Sequence, residues 1–204
     1  MNSSSNLSAT AAPAVPERLI DESPPPADLA ARCRQLIPHD GELNVDELEQ
    51  LVLDIREDST LWEPLILVDP SLRRYRLLYE DDRLDVWVLS WMPGQGTGFH
   101  DHDLSGVGLV SAQGSVIEKQ MLLPEGATEI EMTPGVSRQG PAGYIHSVAH
   151  HSGEPAITIH AYSPKLIRVG QFRADANGVL SREVEFGRKE LIDSTIAAID
   201  PSRA

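Results

Sequence analysis

The sequence predicts an all-β domain closed into a barrel, with two or three helices packed outside it. Three observations carry that expectation. After Pro64, residues 75–79, 84–91, 106–112, 115–123, 128–132, 144–150 and 156–162 are short runs rich in β-branched and aromatic side chains, separated by turn residues. Many short strands at such spacing build a barrel or a sandwich. Before them, residues 27–36 and 44–57 repeat their apolar side chains at helical spacing. The chain has 204 residues, 41% of them hydrophobic, which suits one well-packed core.

Taken in order, residues 1–27 are rich in Ser, Ala and Pro and hold few large apolar groups that could offset the entropy of ordering, so they read as a disordered tail. Residues 28–204 read as one domain. Its helical cover spans 28–60, with Leu48, Leu51, Val52 and Ile55 on one stripe and Asn44 placed to cap the second helix. The barrel occupies 65–175, with Glu80-Asp81-Asp82-Arg83 and Asp175-Ala176-Asn177-Gly178 as hairpin turns. In the extension, 176–204, a last strand is expected from Phe186, running into a helix around 189–197.

Charge excludes several partner classes. Thirty-one acidic against seventeen basic side chains give a net charge of −14 with no basic patch, which argues against nucleic acid and against an anionic membrane surface. The one cysteine, Cys33, rules out an intrachain disulfide framework and fits a reducing compartment. No apolar run reaches the length of a membrane span, and no basic segment followed by an apolar one opens the chain. A cytoplasmic monomer is the expectation.

Three imidazoles carry the chemistry. His100 and His102 lie two apart, so on a strand they project from one face, and His146 arrives from a distant strand. They sit in two glycine-framed segments. The first is Gly94, five residues, His100-Asp101-His102, eleven residues, Gly114; the second is Gly135, five residues, Pro141-Ala142-Gly143-Tyr144-Ile145-His146. A lone His-x-His says little, but these two frames in this order resemble the paired motifs of the cupin superfamily, which implies a double-stranded β-helix, or jelly-roll, barrel holding a metal. Cupins commonly add a glutamate ligand seven residues before the last glycine of the first motif, and that position is Val107 here. Three neutral imidazoles leave the charge of a divalent ion to be balanced by exogenous ligands, which suits a centre that receives a thiolate and then oxygen.

From about Leu29 to Leu166 the chain further resembles the cysteine dioxygenase family, whose closing signature stands here as Thr158-Ile159-His160-Ala161-Tyr162-Ser163-Pro164. Alternation puts Thr158, His160 and Tyr162 on one strand face, where hydroxyl, imidazole and phenol can form a relay toward the metal. The resemblance implies Fe(II) on His100, His102 and His146, L-cysteine and O2 as substrates, cysteine sulfinate as product, and Tyr162, oriented by His160, beside the reacting groups. A substrate carboxylate calls for an arginine. Counting back from Trp91 without gaps selects Arg74; a shorter Glu80–Arg83 turn selects Arg76, whose following Leu77-Leu78 suits the family better, and the two share a strand face.

Trp87 and Trp91 read as barrel packing, Trp91 beside the site. Some relatives link a cysteine to the tyrosine, and the matching position is again Val107, so that crosslink cannot form. Cys33 reads as a small buried hydrophobe. His150 and His151 read as residues near the second motif without a ligand role, and His39 as a surface residue. The alternatives are a dioxygenase of another small thiol such as 3-mercaptopropionate, with Arg168 as a second candidate anchor, a non-catalytic metal-binding cupin, and a cupin isomerase or storage protein, which would normally keep the glutamate.

Overall fold

The computed structural model describes residues 23–123, 126–174 and 179–186. The chain opens with helices α1 (Ala27–Leu36), α2 (Val45–Glu57) and α3 (Ser59–Trp62), followed by a 3-10 turn, Glu63–Leu65. The expected cap is present in reciprocal form: the Asn44 side chain accepts from the Glu47 amide at 3.0 Å, and the Glu47 carboxylate accepts from the Asn44 amide at 2.9 Å. Of the expected tail, residues 1–22 lie outside the described residues, and helix α1 begins at Ala27.

Twelve strands follow: β1 (Arg74–Glu80), β2 (Asp85–Trp91), β3 (Gln95–Gly96), β4 (His100–Asp101), β5 (Gly106–Gln113), β6 (Val116–Leu122), β7 (Gly126–Met132), β8 (Ser137–Gly140), β9 (His146–His150), β10 (Ala156–Ser163), β11 (Arg168–Ala174) and β12 (Leu180–Phe186). They form two antiparallel sheets, a five-stranded one ordered β1-β2-β10-β5-β8 and a seven-stranded one ordered β12-β11-β4-β9-β6-β7 with β3 beside β9. This is the double-stranded β-helix of a cupin, with the helices on the outer face of the first sheet. Among the described residues, no helix is long and apolar enough to cross a membrane.

The first sheet is covered on both faces, which explains why β2, β5 and β10 read as nearly continuous apolar runs. Leu78, Val86, Val88, Val110, Ile157, Ile159 and Ala161 face α1 and α2 and join Leu48, Leu51, Val52 and Ile55 in one core. Their strand neighbours Tyr75, Leu77, Trp87, Leu89, Trp91, Val107, Leu109 and Tyr162 face into the barrel.

The strands not anticipated are the short and polar β3 and β8, whose two and four residues carry no readable alternation, and the strand expected through His100 and His102 ends at Asp101, leaving His102 just beyond it. Strand β11 lies inside the expected barrel and leads into the expected hairpin turn, although no strand is read there from the sequence, and β12 lies in the stretch read as an extension. The expected last strand was to begin at Phe186, yet β12 ends there, pairing Leu180 with Ala174 through Phe186 with Arg168. The expected Asp175–Gly178 turn lies outside the described residues. The barrel therefore extends past residue 175 into what read as an extension. The helix expected at 189–197 falls outside the described residues.

Helix α2 lies directly on β5 at Gly108, where an added Cβ would stand 2.5 Å from the Leu48 carbonyl carbon. Only glycine permits this approach. Gly108→Ala is expected to lower the unfolding free energy by about 1–3 kcal/mol through overpacking, read as a fall in the urea midpoint; an unchanged midpoint contradicts the contact.

Candidate metal centre

Strand β4 contributes His100 directly opposite His146 of β9 in the antiparallel register. His102 follows β4 at a tight bend, where Asp103 takes φ 54° and the Ser105 amide donates to the His102 carbonyl at 3.0 Å. The ring centroids stand 5.0 Å apart for His100 and His102, 4.6 Å for His100 and His146, and 5.1 Å for His102 and His146. One nitrogen from each lies within 4.8 Å of the others, and all three residues are buried.

The state of the ring nitrogens fits a cation. Both nitrogens of His102 and Nε2 of His146 are buried with no hydrogen-bond partner, and a metal ion coordinated by one lone pair from each ring would offset that cost at one nitrogen of each. His100 Nδ1 faces the Gly98 carbonyl at 3.0 Å, which accepts its proton and leaves Nε2 as the lone-pair nitrogen. Burial first, then the neighbouring imidazoles, holds His100 and His102 well below the ordinary histidine value, so both are neutral donors at pH 7. Three buried histidines converging in this way are a donor set that could hold a divalent transition metal.

Two clamps fix the ligands, and neither was legible in the sequence. His146 Nδ1 donates at 2.8 Å to Glu118, which is itself buried on β6 and receives Arg138 Nε at 2.8 Å and the Tyr144 hydroxyl at 3.2 Å. Burial alone would push the Glu118 carboxyl up, but His146 and Arg138 outweigh it and hold the carboxyl below its ordinary value. Burial and Glu118 push the Tyr144 hydroxyl up to about 12, so it stays a donor. The signal for Glu118 is its phase: it alternates with inward Val116 on β6. The second clamp grips Asp101, between the ligands, through Arg182 of β12, whose Nε and Nη2 donate at 2.8 and 2.7 Å to its two oxygens. Gly170 makes room, since an added Cβ would collide with the Arg182 guanidinium.

His100 and His146 open on a narrow cavity whose lining includes Arg73, Leu89, Trp91, His160 and Tyr162, while His102 completes the trio beside it. The sequence expectation of Arg76 or Arg74 is corrected here. A β-bulge between Leu77 and Tyr79 shifts the β1–β2 register by one residue, so counting back through the turn lands on the wrong face. Arg74 is paired with Asp69 at 2.6 Å, and Arg76 lies opposite Val88, which packs toward the helices. The arginine at the cavity is Arg73, 3% exposed, with its guanidinium carbon 4.7 Å over the Trp91 ring. Arg168 stands outside the cavity, paired with Asp103 at 2.6 Å.

Thr158, His160 and Tyr162 share the inward face of β10. The Thr158 hydroxyl lies 2.9 Å from His160 Nε2, and His160 Nδ1 lies 3.2 Å from the Tyr162 oxygen. Trp91 is more than packing: its indole N–H donates to the Thr158 oxygen at 2.8 Å and roots the relay. The Tyr162 ring stands 4.8 Å from His102. Val107, fully buried, is the cross-strand neighbour of Tyr162. His150 donates through Nδ1 to the Ser115 carbonyl at 2.8 Å and is no part of the trio; His39 pairs with Glu47 at the surface.

Burial, with His146 and Arg73 adding repulsion, pulls His160 down to about 3. The unfolded chain protonates this side chain near 6.5, so between these values the unfolded state binds the extra proton and stability falls as pH falls. Urea unfolding of metal-free protein is expected to show this loss, with His160→Gln flattening it by about 1.4 kcal/mol per pH unit; an equal slope in both proteins contradicts the neutral buried state. Arg182→Ala is expected to cost about 1–3 kcal/mol of stability and to weaken divalent-metal binding, measured by titration of the same protein.

A family model described as Cysteine dioxygenase type I matches residues 17–175. Human cysteine dioxygenase type 1 is 28% identical over 148 residues, covering 68% of this chain and 74% of the relative; the Rattus norvegicus protein of that name is 30% identical over 149 residues, with the same shares. Among solved structures the chain is similar to TT1209 from Thermus thermophilus, with a TM-score of 0.46 and 22% identity over 50% of this chain and 93% of that one. The family match takes in α1 to β11 and every residue of the trio and relay, ending before β12 and Arg182. With its match spanning the site and most of the barrel, the chain belongs to the cysteine dioxygenase type I family, cupin-type thiol dioxygenases.

Proposed function

We propose that the chain oxidises L-cysteine with O2 to cysteine sulfinate, using Fe(II) held by His100, His102 and His146, as a monomer in the cytoplasm. The observation that carries the reading is the meeting of a buried guanidinium, Arg73, and the phenol of Tyr162 in one cavity with two imidazoles of the buried histidine trio. When bound, iron supplies the redox chemistry by which both atoms of O2 join the substrate sulfur, without an external reductant.

The protein's own residues position and polarise. Arg73 receives the substrate carboxylate through two parallel N–H donors, in a place where burial strengthens the pair. Its stack on Trp91 holds the guanidinium plane. Neutral His160 orients the Tyr162 hydroxyl and is itself oriented by Thr158 and Trp91, so Tyr162 presents a fixed polar group to the reacting atoms. Leu89 and Val148 keep part of the wall apolar and exclude water. Because no carboxylate stands at Val107, the anionic partner of the ion comes from the substrate, which favours a thiol.

Oxygen uptake and mass spectrometry after anaerobic iron loading test the reading: cysteine is expected to gain two oxygens, and an iron-loaded sample that yields no cysteine sulfinate sinks it. Arg73→Lys is expected to raise KM for cysteine about 10- to 100-fold, the loss of a charge-assisted pair. Arg76→Gln and Arg168→Gln are expected to leave that KM within about twofold. A faster reaction with 3-mercaptopropionate than with cysteine would reassign the substrate.

A further inference from the structure

The three ligand imidazoles are not equivalent. His100 is backed by a neutral carbonyl, that of Gly98, and His102 by no hydrogen bond at all, whereas His146 is backed by a carboxylate. Among the described residues, Glu118 is the one carboxylate hydrogen-bonded to a ligand imidazole. We propose that Glu118 is the positioning residue that makes His146 the strongest donor of the metal centre, and that Arg138 attenuates its charge. This rests on the three histidines holding a metal.

The geometry supports both halves. Glu118 Oε1 takes the His146 Nδ1 proton at 2.8 Å and the Tyr144 hydroxyl proton at 3.2 Å, so the tautomer is fixed and the partnerless Nε2 is the nitrogen left for the ion. Oε2 takes Arg138 Nε at 2.8 Å. The Glu118 side chain is wholly buried, and Arg138 reaches it from β8, an edge strand, with 31% of its own side chain exposed. A buried negative charge one imidazole away from the ion raises the basicity of that imidazole and favours the more highly charged state of the metal. The guanidinium opposes both effects. With valine at position 107, this relayed charge takes over part of the work of a direct carboxylate ligand, while leaving the coordination positions to the substrates.

The two residues therefore act on the metal with opposite sign, which plain packing would not do. Two measurements read this: Co(II) affinity of the metal-free protein, and the Fe(III)/Fe(II) midpoint potential of the iron-loaded protein. Glu118→Gln keeps an acceptor for His146 but removes the charge; it is expected to weaken Co(II) binding about 10- to 100-fold and to raise the midpoint. Arg138→Met uncovers the carboxylate and is expected to lower the midpoint. The inference is overturned if Glu118→Gln changes neither quantity, or if both variants move the midpoint the same way. Should Glu118→Gln fail to fold, Arg138→Met decides alone: a fall supports the inference, and no change or a rise overturns it. Wild-type protein that binds Co(II) no better than His146→Ala overturns the metal centre itself, and this inference with it.

Discussion

Burial of β10 on both faces is the constraint from which the site follows. A strand enclosed between helices and barrel interior cannot leave a polar side chain unpaired without a cost of about 1–3 kcal/mol. Its outer face carries Ile157, Ile159 and Ala161 against α2. The inner face carries Thr158, His160 and Tyr162, each buried to within 3% exposure. Satisfying them in sequence, with Trp91 from β2 as the terminal donor, produces a rigid row of hydrogen bonds. A loop could not hold a phenol at one place with comparable economy of contacts.

The electrostatics of the centre are those of a cation site built without an anionic ligand. His100 and His102 are kept neutral by desolvation first, and then by His146 for the one and by His100 and His146 for the other. Formal negative charge is held one layer back, in Glu118 and Asp101, and each of these is gripped by an arginine, Arg138 and Arg182. The cavity itself contains one strong positive group, Arg73, so its interior favours anions before any ion is considered.

Much of this was legible from residue order alone. Helices α1 and α2 and the Asn44 cap matched their expected bounds, because amphipathic spacing and a capping box are local signals. Glycine-framed spacing pointed to the three histidines that the barrel brings together, and alternation to the shared face of Thr158, His160 and Tyr162. What escaped depended on pairing between distant strands. Arg73 was missed because one bulge in β1 reverses which face counts as inward, a fact that no residue type near Tyr79 announces. Glu118 looked like an ordinary strand carboxylate until β6 was laid beside β9. Arg182 sat in a stretch read as an extension, since charged Ser181-Arg182-Glu183 resembles a solvated segment as much as a strand.

The clamp between Arg182 and Asp101 joins residues 81 positions apart. A ribosome makes the ligand-bearing bend long before it makes the guanidinium that secures it, and the whole of β5 to β11 emerges in between. The bend that carries His100 and His102 can therefore take its finished form only after residue 182 has left the exit tunnel. Fastening of the bend beneath the histidine trio is thus tied by topology to synthesis through β12, and a nascent polypeptide that stops short of Arg182 lacks that clamp.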